Sequence, residues 1–213
     1  MRIWLQKWKS ITEEKEFTKS LVIAFLFLFV SLYINFIAGT YATESASLPV
    51  TDIILSNIRV FDVDLIFIYG PFVLFFIVAI IASYNPKKLP FTIKSIALFT
   101  IIRSVFISLT HLGPFPTQAV TASGNFISKF TFGGDLFFSG HTGIPFLMAL
   151  IFWQNKSLRY FFLMYSFMMG IVVLLGHYHY SIDVLAAFFI TYSIFHISVL
   201  FFKKDWGMFH RQS

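Results

Sequence analysis

A chain of 213 residues that is 57% hydrophobic and 12% charged, with a mean hydropathy of +0.78, is too apolar for an ordinary soluble domain, where charged residues supply about a quarter of the sequence. Its long uncharged runs make it an integral membrane protein. Cysteine is absent, which excludes a disulfide frame and a thiolate metal site. The net charge of +6 does not argue for nucleic acid, because the basic residues fall in short loops at membrane boundaries.

In chain order, residues 1–17 are polar and mixed in charge, with Trp4 and Trp8 as candidate interfacial anchors. The first apolar run, residues 21–42, starts too late and runs too long for a cleaved signal peptide and reads as the first spanning helix. Residues 43–64 form a polar loop with Glu44, Asp52, Asp62 and Asp64. The second helix covers residues 65–84, with a kink expected at Gly70-Pro71. A basic turn, Asn85-Pro86-Lys87-Lys88, leads to the third helix at 92–110. Residues 111–134 are a loop rich in Gly, Pro, Ser and Thr, expected on the membrane surface. The fourth, fifth and sixth helices are expected at 137–153, 158–175 and 182–202, and the tail at 203–213. No internal repeat or second domain is visible. The expected fold is all-α: a cytoplasmic segment over 1–20, a six-transmembrane-helix bundle over 21–202 and a cytoplasmic tail over 203–213.

Loop charges orient this bundle. Thirteen Lys and Arg residues fall on the side of the two termini, including Lys94 beside the second-to-third turn, and only Arg59 and Lys129 on the other. The positive-inside rule puts both termini in the cytoplasm. Ser139-Gly140-His141 then lies at the outer end of the fourth helix, and His179 and Asp183 at the outer end of the sixth. Arg103 lies roughly 10 Å below the outer end of the third at 1.5 Å per residue. Polar side chains from three helices gather at the non-cytoplasmic face, where facing helices of a bundle build sites.

An arginine inside a span is a functional candidate, and its planar fork suits phosphate oxygens. The bland alternative is a structural pair with Asp135 or Asp183. His141 follows Ser139-Gly140 at a helix start, where first-turn N–H groups can hold an anion and a histidine can move protons. Ser139 can equally be a plain N-cap, or a nucleophile beside His141. If the sixth helix starts near the motif, His179 and Asp183 share one helical face, and the carboxylate can take the ring's second N–H. The alternative is a core histidine bonded to a helix carboxylate. His177 does not share that face and reads as an interfacial or supporting residue. A metal site from His141, His177, His179 and Asp183 has the donors but not the HExxH spacing. His111, His196 and His210 look peripheral.

Two stretches resemble a known family. Gly134-Asp135-Leu136-Phe137-Phe138-Ser139-Gly140-His141-Thr142 is similar to the Gly-Asp-x-x-Phe-Ser-Gly-His-Thr motif of sphingomyelin synthases, within the type 2 phosphatidic acid phosphatase (PAP2) superfamily. Gly176-His177-Tyr178-His179-Tyr180-Ser181-Ile182-Asp183-Val184 resembles the second motif, His-x-His-Tyr-Thr-Ile-Asp-Val, with Ser181 for Thr. Arg103, Thr110 and Leu112 match an Arg-x6-Thr-x-Leu stretch, and Leu48-Pro49 with Asp52 is similar to a first luminal motif. The phosphatase motif Lys-x6-Arg-Pro is absent, since Ser104 follows Arg103, and Val172-Val173 replaces the Ser-Arg pair of the phosphatases.

The resemblance implies a sphingomyelin synthase-like phosphotransferase without cofactor or metal, six spans, and an active site on the non-cytoplasmic face, periplasmic if the cell is bacterial. His179 would be the nucleophile, Asp183 its orienting carboxylate and His141 the acid and then base. Arg103, Asp135, Ser139, Gly140 and His177 form the expected substrate-binding set. The implied partners are a membrane phospholipid donor and a lipid alcohol of the ceramide or diacylglycerol type. A lipid phosphate phosphatase or phospholipase C-like hydrolase is the alternative enzyme, and a non-catalytic lipid transporter or scaffold the alternative of another class.

Overall fold

The computed structural model describes residue 8 and residues 10–118 and 134–210. From residue 15 onward, seven α-helices follow one another among the described residues: α1 Lys15–Glu44, α2 Asp64–Tyr84, α3 Leu89–Leu109, α4 Gly140–Ile151, α5 Lys156–Leu175, α6 Ser181–Phe201 and α7 Lys203–His210. A 3-10 turn, Pro86–Lys88, leads directly into α3. No strand occurs among the described residues. Trp4, Lys129 and most of the 111–134 loop lie outside them.

Local chemistry sets the helix ends. Asn155 caps α5 by accepting the Leu158 N–H at 3.1 Å, and Ser139 caps α4 by accepting that of Thr142 at 3.4 Å. Pro86 and Pro90 stand at helix starts, where a missing N–H costs nothing. Pro71 stands inside α2, where it removes the N–H that would bond the Phe67 carbonyl one turn back.

Five helices are long and apolar enough to cross a membrane; α4 is not. The fourth span expected at 137–153 shortens to 12 helical residues, about 18 Å, against the roughly 20 residues a bilayer crossing needs. Residues 137 and 138 bend ahead of the cap at Ser139, and the helix ends at Ile151 with Phe152 as its C-cap. α4 is instead sheathed by protein: Leu147, Met148 and Ala149 are fully buried, with α5 and α6 packed against it. Gly143 permits this, because a Cβ there would fall 2.7 Å from the Phe99 ring and 2.9 Å from Thr191 Oγ1. The outer helices turn Phe29, Phe76, Phe167 and Phe189 outward, as lipid-facing surfaces require. Along the α1–α3 seam small side chains dominate, with Ser20, Ala24, Ser31, Ala38 and Ala42 all buried.

Polar clusters close the two ends. At one, the loop after α1 is tied to the segments around it. Ser47 N–H and Oγ both donate to the His111 carbonyl, Tyr180 Oη donates to the Gly113 carbonyl at 2.7 Å, and Phe61 N–H donates to that of Leu175. At the other end Lys94 Nζ bonds Asp205 Oδ2 at 2.7 Å and Ser20 Oγ at 2.8 Å, joining α3, α7 and α1. Lys94 is therefore not a loop charge as its position suggested. It lies one turn inside α3 and is buried, because Asp205 comes back to neutralise it. Nor is the stretch after residue 202 a loose tail: α7 packs Phe209 into the core, and its ring meets Lys88. Trp8 anchors to protein, Nε1 donating to the Ser83 carbonyl at 3.0 Å.

Candidate active site

Arg103, Asp135, Gly140, His141 and His179 all line one cavity of about 750 Å³. The His141 and His179 ring centres are 6.4 Å apart. The short α4 brings this about: its start is fixed to that of α6 by a 3.2 Å bond from Ser139 N–H to the Asp183 carbonyl.

His179 and Asp183 do not share a helical face as expected. α6 begins at Ser181, so His179 precedes the helix and its ring folds back over the first turn. The pair still meets, with Nδ1 of His179 3.5 Å from Oδ2 of Asp183. The same Oδ2 accepts the Tyr180 N–H at 2.9 Å. Asp183 thus caps the helix start with the same oxygen that faces the imidazole, and it is wholly buried.

Arg103 takes the bland pairing that its position allowed. Nε donates to the Phe138 carbonyl at 2.9 Å, Nη1 to Asp135 Oδ2 at 3.0 Å and Nη2 to the Asp135 carbonyl. Its fork therefore fixes the segment that leads into α4, and Gly140 passes directly beside it.

His141 is held by α2. Its Nε2–H donates to the Phe67 carbonyl at 3.2 Å, the oxygen that Pro71 leaves without a helical donor. The Phe67 ring lies between His141 and Tyr178, stacked at 4.2 and 4.0 Å. Tyr178 Oη in turn donates to Asp64 at the start of α2. Burial, helped by the Asp64 carboxylate, pushes the Tyr178 phenol above its ordinary pKa, so it remains a donor. Sequence reasoning gave no role to Phe67, Tyr178 or Asp64. The Gly70-Pro71 pair was the available signal, since a proline inside a helix always frees a carbonyl.

Two expected site residues lie elsewhere. Ser139 is fully buried, its Oγ occupied as the α4 cap, with no opening to the cavity. His177 turns away from the cavity, with Nδ1 2.6 Å from Thr117 Oγ1 and Phe115 against its ring. Burial lowers its pKa against the pull of Asp52, so it is neutral at pH 7. No three His, Asp or Glu side chains among the described residues converge as a metal site.

Asp52 matters more than its loop position suggested. Oδ1 accepts the N–H groups of Ile54 and Leu55, and Oδ2 accepts Ser181 N–H at 2.7 Å and Ser181 Oγ at 2.8 Å. This carboxylate from the first loop clamps the helix start two residues after His179.

The arrangement offers two imidazoles and a guanidinium at the head of an apolar cavity, one imidazole backed by a carboxylate. Such groups can attack an electrophile, exchange protons and hold an anion. No curated protein and no solved structure matches the chain. A family model described as PAP2 superfamily C-terminal matches residues 133–200, a stretch that carries His141, His179 and Asp183 and leaves out Arg103. From the segment bearing Asp135 through most of α6, the chain is similar to that superfamily.

Proposed function

We propose that the protein is a membrane lipid phosphotransferase, which moves a phospho-head group from a glycerophospholipid to a lipid alcohol through a phosphohistidine. The observation that carries this reading is the pair of imidazoles 6.4 Å apart, beside Arg103, at the head of a cavity walled by apolar helices. The match over residues 133–200 supports it.

In this mechanism His179 attacks phosphorus through Nε2, its Nδ1 side being turned to Asp183. The bond from phosphorus to the glycerol oxygen breaks, and that oxygen takes a proton from the His141 imidazolium. The released diacylglycerol leaves a phosphohistidine at His179. The acceptor hydroxyl then gives its proton to His141 and attacks phosphorus, and the bond to His179 breaks. His141 ends protonated again, so each cycle closes. Arg103 carries charge at the phosphate side of the cavity while it holds Asp135. Both termini are cytoplasmic and the site faces the opposite side, in keeping with the basic residues around the termini.

The test is to stop purified protein in bilayers during turnover of a phospholipid labelled in its head group. A phospho-adduct that is labile to acid, stable to base and absent from His179→Ala is the expected result. Added ceramide or diacylglycerol should discharge it faster than water does. An adduct discharged at the same rate with and without a lipid alcohol makes the protein a hydrolase, and full activity in His179→Ala removes the phosphohistidine altogether.

A further inference from the structure

We propose that the cavity below the imidazoles is a slot for one hydrocarbon tail of the substrate, entered sideways from the bilayer between α1 and α2 and closed at the level of Ala82 and Leu89. This rests on the lipid reading of the site above.

Three helices give the slot its length. The cavity wall on α3 runs from Arg103 down one face, through Thr100, Ile96 and Ile93, to Leu89. Those fourteen steps along the helix measure about 21 Å at 1.5 Å per residue. α2 lines it from Phe67 to Ala82, about 22 Å at 1.5 Å per residue, and α1 from Asn35 to Phe25, about 15 Å, so the shorter wall still covers the depth of one leaflet. A single leaflet of hydrocarbon is about 15 Å deep, half of a core roughly 30 Å thick. The slot is long enough to take an ordinary membrane tail in full once its phosphate lies at Arg103. The whole cavity, head included, has the size of a pocket for one small ligand, about 300–1,000 Å³.

The walls suit a tail and nothing polar. Below Arg103 the hydroxyls that border the cavity are turned to backbone: Thr100 Oγ1 to the Ile96 carbonyl, Thr92 Oγ1 to that of Lys88, and Tyr165 Oη to that of Gly70. What remains facing the slot is aliphatic and aromatic carbon, while its polar groups are gathered at one end.

The side entrance follows from the packing. α1 is laid along α3, and α2 leans on α5 and α4, so α1 and α2 border the same cavity without a packed seam between them. Both are exposed on the outside to what is bilayer in a spanning protein. A lipid can slide in with its head near Arg103 and its tail between these helices, without leaving the apolar phase.

The experiment uses phosphatidylcholine with a terminal diazirine on a palmitoyl tail, in bilayers holding the full-length protein. Photolabelling should fall on the inner ends of α2 and α3, around residues 79–96. Ala79 lies on the slot wall at the bilayer side, so Ala79→Phe fills the lower slot with little disturbance of the core. Excluding about two methylenes from burial should reduce that labelling about tenfold. Phe25→Ala, which widens the closed end, should keep the label and carry it deeper. Labelling that is spread over outward-facing residues, or is unchanged by Ala79→Phe, overturns the slot. A second arm compares turnover of palmitoyl and hexanoyl phosphatidylcholine: Ala79→Phe should slow only the long-tailed lipid. Slot labelling in a wild type that turns over neither lipid keeps the slot and fails the enzymatic reading, so the two are separable.

Discussion

The carboxylate of Asp52 receives both the backbone N–H and the hydroxyl of Ser181, at 2.7 and 2.8 Å, across 129 residues of chain. Ser181 is the first residue of α6, so a loop anion satisfies the helix N-terminus that also carries His179 and Asp183. Burial acts to raise the Asp52 pKa, but the four bonds from Ser181, Leu55 and Ile54 outweigh it and hold the carboxyl below its ordinary 3.8. A depressed folded-state pKa contributes stability that is present above the unfolded value and is lost as pH falls through the folded one. Thermal unfolding in detergent should therefore show a loss of Tm as pH drops below about 3.8 that Asp52→Asn lacks. At neutral pH the Asn variant should be less stable by about 1–3 kcal/mol. An unchanged Tm at neutral pH contradicts the clamp.

Arg103→Lys should not restore function. The guanidinium reaches three acceptors on Asp135 and Phe138 at once, and an ammonium cannot span them. The segment leading into α4 loosens, and on the proposed reading the charge beside the phosphate is displaced with it. The expected loss in kcat is about 10²-fold, read with a head-group-labelled lipid. Near wild-type turnover in the Lys variant shows that charge alone suffices there.

Asp183 does two jobs that substitution can separate. Asn keeps an oxygen for the Tyr180 N–H, whereas Ala removes it. Asp183→Asn should thus keep Tm close to wild type while losing the carboxylate behind His179, a change that costs up to about 10⁴-fold in rate where such a dyad is catalytic. Asp183→Ala should lose both, with about 1 kcal/mol or more of stability gone with the cap. Equal rates for wild type and Asp183→Asn reduce Asp183 to a helix cap.

Much of this was legible in the sequence, and the misses share a cause. Helices α1, α2, α3, α5 and α6 are long apolar runs whose existence composition alone dictates. α4 was overextended because Phe137, Phe138, Phe152 and Trp153 are as apolar as the helix they flank, and hydropathy does not register where a cap closes a helix. The grouping of Arg103, His141 and His179 followed from placing three helix ends on one face, and the cavity brings them together. Lys94 misled because a charge near a turn looks solvated, and its partner Asp205 stands 111 residues away. Long-range carboxylates of this kind, Asp52 and Asp205 alike, leave no local pattern. His177 also misled: its position in the motif suggested the site, yet its positive φ of 55° turns the chain so that the ring faces Thr117.

The chain has no cysteine, so one engineered thiol reports sidedness cleanly. Leu48 and Ile53 are each more than four-fifths exposed in the loop between α1 and α2, and Asn155 is exposed in the turn between α4 and α5. With the basic side in the cytoplasm, Leu48→Cys and Ile53→Cys should react with an impermeant maleimide in intact cells, and Asn155→Cys only after lysis. The reverse pattern inverts the topology and moves the site to the cytoplasmic face.

The last prediction concerns Pro71, a residue of the cavity wall whose missing N–H acts on His141. Because proline has no N–H, the Phe67 carbonyl lacks its donor from within α2, and His141 Nε2–H supplies one at 3.2 Å. That bond selects the tautomer with hydrogen on Nε2 and leaves Nδ1 as the atom that can give or take a proton. Pro71→Ala returns an N–H to the ladder and draws the Phe67 oxygen back toward the helix axis. α2 should gain stability, since a proline inside a helix costs about 3 kcal/mol relative to alanine. His141 should lose a hydrogen bond of about 1 kcal/mol, which corresponds to a several-fold to tenfold fall in kcat at unchanged KM. Nitrogen NMR of labelled histidine, recorded without lipid at a pH that keeps His141 neutral, should show the ring divided between its two tautomers in the variant and confined to one in the wild type. A higher Tm with kcat and the tautomer both unchanged makes Pro71 a kink alone. A fall in kcat together with the mixed tautomer assigns it the placing of the imidazole.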